Sequence, residues 1–194
     1  MDLKKMWRVV GVPVVLFTVI VLYAGNNDNE HKERAQTAAQ SFMGQLQNVL
    51  MEELRDGGPV KAIAVCADTA QVLTDRAGEE LDVSLKRVSD RVRNSNNEPD
   101  EYEASVLKKF TRKQEEGETP PFIHTEVRTL NGEKEFWYMQ SIHMQAQCLG
   151  CHGEEEQIAD TVKKLLSEKY PDDRATGYTP GDFRGAIRVS FTVD

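Results

Sequence analysis

Residues 122–153 read FIHTEVRTLNGEKEFWYMQSIHMQAQCLGCHG, and this stretch decides what kind of domain the chain builds. Strand-type side chains recur through it, at Ile123, Val127, Phe136, Trp137 and Tyr138. Between two such runs stands Asn131-Gly132, a two-residue turn suited to two successive positive φ angles. The spacing predicts a hairpin of Phe122 to Leu130 and Glu133 to Ile142. Its second strand runs through His143-Met144-Gln145-Ala146-Gln147 directly into Cys148-Leu149-Gly150-Cys151-His152.

Cys-x-x-Cys-His is the pattern by which a c-type haem is attached. Two thiols three positions apart on a tight turn can each add to one vinyl group of the same porphyrin. The following His then offers its imidazole to the iron as an axial ligand. The chain has three Cys and four His, and three of these seven residues fall in the motif. A zinc site would need two more ligands, and no second Cys-x-x-Cys or any His-x-x-x-His is present. A thioredoxin-like dithiol opens a helix after a strand in a βαβ unit, which the pattern does not offer. One covalent haem c on Cys148 and Cys151, with His152 as a metal ligand, is therefore expected.

N-terminal to the hairpin the chain reads as helical. An apolar stripe from Ala35 through Ala38, Ala39, Phe42, Leu46, Val49, Leu50 and Leu54 predicts one long helix over 29–55. Gly57-Gly58-Pro59 stops it, and Pro59 suits the first turn of a second helix, Val60 to Arg76. There Ile63, Cys66, Ala70 and Leu73 are spaced to share one inward face. A short extended segment follows around Val83 to Val88, then a polar loop over 91–98 and a third helix from Asp100 to Glu115. After the motif a helix over Glu155 to Lys169, a Pro/Gly/Asp loop and a last strand, Phe183 to Val193, complete the pattern. The order reads as α+β, an antiparallel sheet with helices to one side, and not as a small all-helical cytochrome.

The chain opens with Lys4, Lys5 and Arg8 before an uncharged apolar run, Val9 to Ala24. That run is about 16 residues, somewhat short of the roughly 20 that span a bilayer, with Trp7 and Tyr23 placed to extend it. Residues 1–8 are expected in the cytoplasm, 9–25 as an uncleaved signal anchor in the inner membrane, and 28–194 as a periplasmic haem domain. The alternative is a domain released as a soluble periplasmic protein after cleavage, although the residues before Ala24 make a poor cleavage site. A net charge of −8 argues against nucleic acid as a partner. The first helix stripe is compatible with a homodimer.

The sixth iron ligand is open on composition alone. Cys66, His143, Met144, Met139, His124, His31 or none of these can be considered. His143 and Met144 lie only a few residues before the haem cysteines and have little reach to the other face of a ring. Cys66 comes from a separate element, and it is an odd Cys in a chain read as exported. Arg87, Arg91, Arg93 and Arg184 are candidate partners for haem carboxylates, because an Arg fork matches a carboxylate. Tyr178, Trp137 and Met144 are candidates for the haem surroundings.

Several segments in order carry a resemblance beyond the motif itself. They are Ala62-Ile63-Ala64-Val65-Cys66, Arg87-Val88-Ser89, Arg93 to Asp100, Gln145 to Gly153, Tyr170 to Tyr178, and Gly181 to Ala186. In these the sequence resembles the exported, PAS-like c-type haem proteins with a distal Cys ligand, long classed as a domain of unknown function. The resemblance implies a PAS-like antiparallel sheet with flanking helices, and a haem held by His152 and Cys66. It implies a redox or gas sensor with an unidentified redox or signalling partner. A simple electron-transfer cytochrome is the alternative. A peroxidase-like enzyme is disfavoured, because it would need an open iron position and a distal acid–base group.

Overall fold

The structure, a computed structural model, describes residues 13–194, with side chains from residue 27 onward except Asp68. The expected anchor, with the residues before it, lies with its side chains outside the described residues. Among the described residues no helix is long and apolar enough to cross a membrane. The chain divides into two units, residues 1–34 and 35–194.

Helix α1 is Pro13–Ala64, broken at Gly58. There φ is 69° and ψ −169°, a backbone state open essentially to glycine alone. Pro59 then starts the second helical segment with its φ already fixed. That segment does not stop at Arg76 as the sequence predicts. It passes through a π-helical turn, Val65–Thr69, into α2, Ala70–Leu81, and ends at Asp82 with φ 52°.

Four strands form one sheet: β1 Ser84–Val88, β2 Ile123–Leu130, β3 Glu133–His143 and β4 Phe183–Val193. Their order is β1-β4-β3-β2, and every pairing is antiparallel. The hairpin closes where expected, with Asn131 at φ 52° and Gly132 at φ 88°. A register shift at Ile142/His143 ends the β3–β4 ladder just before the Cys-rich turn.

The helices do not lie to one side of the sheet, which corrects the expectation. Ala35, Ala38, Ala39 and Phe42 of α1, with Ala77 of α2, pack on Phe136, Tyr138, Ile187, Val189 and Phe191. Helix α3, Glu101–Glu115, covers the other face, where Val106, Leu107 and Phe110 meet Val88, Phe122, Met139 and Ala186. The physical reason stands in β3: Phe136, Trp137, Tyr138 and Met139 are buried in succession, so neighbouring side chains on opposite faces both need cover. Asp100 caps α3 in a capping box with Glu103. Glu103 is 1 % exposed, faces Lys86 at 2.6 Å and Arg188 at 3.4 Å, and so ties α3 to β1 and β4.

The helix expected over 155–169 is shorter. Glu155–Gln157 form a 3-10 turn, and α5 begins at Asp160 and ends at Lys169. The acidic run at 154–156 caps and fills the 3-10 turn instead. Ile158, Val162, Leu166 and Tyr170 form a small core with Ile63. Between α1, α5 and the edge of the sheet lies a cavity.

Candidate functional site

The cavity encloses about 270 Å³. Leu46, Leu50 and Leu54 of α1 line it on one side, and Val88, Ile142 and Leu166 add further apolar wall. Cys66, Cys148, Cys151 and His152 all reach it. Segments more than eighty residues apart in sequence, roughly, are thus brought to one space, as ligand sites between packed elements commonly are.

The π turn is what delivers Cys66. A π turn closes through i→i+5 bonds, and here the Ala70 N–H bonds to the Val65 carbonyl oxygen. The extra residue shifts the phase of everything before it. Ile63, Cys66, Ala70 and Leu73 therefore do not all share the one face their spacing predicts: Ile63 and Cys66 both line the cavity, and Leu73 does not. Ile63 packs toward α5, and Leu73 toward the sheet. Cys66 lines the cavity. Its thiol is pushed up in pKa by burial, opposed by the positive charges of Arg87 and Arg93.

Ala146–Cys148 form a 3-10 turn that runs into α4, the single turn Leu149–His152. Cys148 and Cys151 stand three residues apart and so lie on one side of that turn. Gly153 ends it under constraint: a Cβ there would lie 2.7 Å from the Leu149 carbonyl oxygen. Burial raises the Cys151 pKa, opposed by Arg93, and Cys66 and Cys148 raise it further, so these sulfurs feel one another. None of the three cysteines is joined to another in a disulfide.

His152 is held in one tautomer. Its Nδ1 lies 2.6 Å from the Ala175 carbonyl oxygen. A carbonyl can only accept, so Nδ1 carries the proton and Nε2 presents a lone pair. Tyr178 N–H bonds to the His152 carbonyl oxygen, and Gly177 N–H to that of Gly153. Burial first, then the charges of Arg93 and Arg184, push the imidazole pKa down to about 3. It is the neutral form, the one that ligates metals.

The four candidate arginines have different employment. Arg93 Nε pairs with Asp173 at 2.9 Å, its Nη2 donates to the Cys151 carbonyl oxygen at 2.6 Å, and its Nη1 lies 3.4 Å from His152 Nε2. Arg184 Nη1 donates to Ser89 Oγ and to the Arg91 carbonyl oxygen. Arg91 donates to the Arg174 and Thr176 carbonyl oxygens and covers the Tyr178 ring at 3.9 Å. Arg87 lines the cavity, and its Nε and Nη2 are buried with no hydrogen-bond partner.

Met144 is buried, lines the cavity and packs with Ala175, Tyr178 and Cys148. Tyr178 stands edge-on to His152 at 6.4 Å, behind it rather than on the cavity wall. Trp137 is elsewhere, edge-on to Tyr102 at 5.4 Å on the α3 face. Of the other ligand candidates, His143 lines the cavity but is bonded to Ser141 Oγ and the Gly181 carbonyl oxygen. Met139 is in the core under α3, His124 on β2 bonds to Tyr102 Oη of α3, and His31 belongs to the first unit.

Among the described residues no three His, Cys, Asp or Glu converge to hold a bare metal ion. A tetrapyrrole brings four nitrogen donors itself and asks the protein for at most two. A neutral imidazole, a thiol from a second element, two further thiols on one turn and an apolar wall fit such a group. The sequence pattern singles out Cys66, Cys148, Cys151 and His152, which the fold brings to one cavity. It misses the π turn and the Ala175 carbonyl that fixes His152, for which Asp173 to Tyr178 is the only trace.

A family model described as Tll0287-like matches residues 26–192. Among solved structures, the crystal structure of the cyanobacterial heme-protein Tll0287 is similar, with a TM-score of 0.64 at 20% identity, covering 85% of this chain and 96% of that one. At that identity the likeness is one of fold. No curated protein matches.

Proposed function

The chain belongs to the Tll0287-like family, and from that premise we propose that it is a haem-binding protein of the c type. In this reading the porphyrin is bound covalently through Cys148 and Cys151, and its iron is held by His152 and Cys66. The observation that carries it is the meeting of these four residues in one cavity. The description of a similar fold as a heme-protein supports it. When bound, the group supplies an iron that exchanges electrons and can take a small ligand where a protein donor gives way.

The chain's own residues divide the work. The Ala175 carbonyl holds His152 with Nε2 unprotonated, and Arg93, which fixes the turn through the Cys151 carbonyl, reaches within 3.4 Å of that nitrogen. Cys66 offers sulfur from a π turn, a less tightly wound piece of helix than the segments on either side. A thiolate donor favours ferric iron and a low potential. Because His152 is locked and Cys66 is not, loss of the Cys66 bond is the step that would distinguish two states of the domain. We read the protein as a redox or gas sensor with a PAS-like fold, anchored in the inner membrane by residues 9–25 and facing the periplasm.

Optical spectra of the ferric and ferrous holoprotein test this, using material from a host that attaches haem to exported proteins. A thiolate signature in the ferric form that disappears on reduction, or on adding CO or NO, is the expected result. Six-coordinate spectra in both states would make the protein an electron carrier. A Cys66→Ser variant with an unaltered ferric spectrum would remove the ligand assignment. Colourless protein with the mass of the bare chain would remove the haem. Membrane fractionation with N-terminal sequencing decides between anchor and cleaved signal.

A further inference from the structure

Four arginines surround the cavity and its turn, and three of them are engaged by the protein. Arg93 holds Asp173 and the Cys151 carbonyl, Arg184 holds Ser89 and the Arg91 carbonyl, and Arg91 holds the 174–176 loop. Arg87 differs. Its Nε and Nη2 carry no hydrogen-bond partner although both are buried, and the side chain lines the cavity. Leaving such donors unmet is costly, more so when they belong to a cation.

Which two atoms are left open is informative. In a guanidinium, the Nε–H and one Nη2–H point the same way, along one edge of the plane. That edge is the side-on fork that receives both oxygens of a carboxylate through two parallel bonds. Two separate carbonyl oxygens can also meet the two donors, as they do at Arg91, but a carboxylate meets both with two parallel bonds from one group. Arg87 therefore keeps a complete bidentate fork for a carboxylate unmet beside the cavity that its side chain lines, on a strand held to β4 at Ile187.

The geometry points to Arg87 as the anchor for one carboxylate of the cavity's ligand, a haem propionate, with Arg91, Arg93 and Arg184 serving the protein framework. This rests on the haem reading above and adds to it a specific orientation. The vinyl edge of the ring is fixed at Cys148 and Cys151, and one propionate at Arg87, so the ring has a defined rotation in its pocket.

The test uses the full-length holoprotein, wild type and with Arg87→Ala, Arg87→Lys or Arg184→Lys. Each is treated with a carbodiimide and a small amine, and amide formation on the haem-bearing peptide is followed by mass. In wild type one propionate should react about tenfold or more slowly than the other, the factor that a charge-assisted pair of bonds supplies. Arg87→Ala should abolish that protection. Arg87→Lys, which keeps charge but not the fork, should keep only part of it, and Arg184→Lys should leave it intact. The propionate bending band in resonance Raman spectra should shift in the Arg87 variants alone. Equal reaction of both propionates in wild type, or protection that survives Arg87→Ala, overturns the assignment while the haem reading stands. A chain that carries no haem overturns both, and its bare mass makes that failure separately visible.

Discussion

Arg93 Nη2 donates to the carbonyl oxygen of Cys151 across 2.6 Å, joining residues 58 positions apart in the chain. The same guanidinium pairs with Asp173, so one side chain ties the polar loop after β1, the Cys-rich turn and the 173–175 loop together. Arg93 and Asp173 side chains are 9% and 12% exposed, which places their charges largely out of solvent screening.

Arg93→Ala leaves Asp173 charged and nearly buried, and should lower unfolding stability by about 3 kcal/mol. Arg93→Lys should lie between it and wild type, because the charge returns and the bond to Cys151 does not. Denaturant titration reads both. A loss no larger than that of an ordinary surface substitution would show that the pair does not hold the turn.

Glu103 offers a parallel case away from the cavity. Its carboxylate meets Lys86 and Arg188 and accepts the Asp100 N–H at 2.9 Å. Glu103→Ala strands two cations and breaks the capping box, and should cost about 3 kcal/mol or more. Glu103→Gln keeps the cap and should cost less. A double-mutant cycle of Glu103→Gln with Arg188→Met should return a coupling of about 1 kcal/mol or more, since the two side chains touch.

Gly185 sits where β4 passes β1. Its φ is 150°, and a Cβ there would lie 2.3 Å from the Val88 carbonyl oxygen. Gly185→Ala must push β1 from β4, at a cost of about 3 kcal/mol in an overpacked site. Since Arg87 precedes Val88, hydrogen exchange at residues 84–88 should rise in this variant. Gly132→Ala, at φ 88° with open space around it, should cost only about 1–2 kcal/mol and leave those amides protected.

Tyr138 is fully buried, and burial pushes its phenol pKa from 10.0 up to about 12. The folded state therefore keeps a proton that the unfolded state releases. That contribution is whole below about pH 10 and is lost as pH rises from 10 toward 12. Stability measured across this window should fall with pH. Tyr138→Phe should flatten the fall, although it also gives up the bond to Gln140 Oε1. An equally steep alkaline decline in the variant would place its origin elsewhere.

The parts legible in the sequence are those written in local chemistry. Asn131-Gly132 closes a hairpin because both residues accept positive φ. Gly57-Gly58-Pro59 breaks a helix by one left-handed φ and one fixed φ. What depends on distant partners is not legible. Nothing in Val65-Cys66-Ala67-Asp68-Thr69 marks an extra residue in the turn. The placing of α3 opposite α1 is hinted at only by four consecutive buried residues, Phe136 to Met139. The four arginines look alike on paper. Arg91, Arg93 and Arg184 find their acceptors on loops that only the folded chain brings near, and Arg87 does not.

The strand order carries a consequence for how the protein is made. Strand β1 is joined to the sheet only through β4, and β4 follows the Cys-rich turn in the chain. As the chain emerges N-terminus first, Cys148 and Cys151 come out ahead of residues 183–193, with which β1 pairs. During that interval the thiol pair is exposed and the strand bearing Arg87 has no neighbour to pair with. Were porphyrin joined to these sulfurs, as proposed above, the joining would find an open, unfinished site until the last strand pairs with β1.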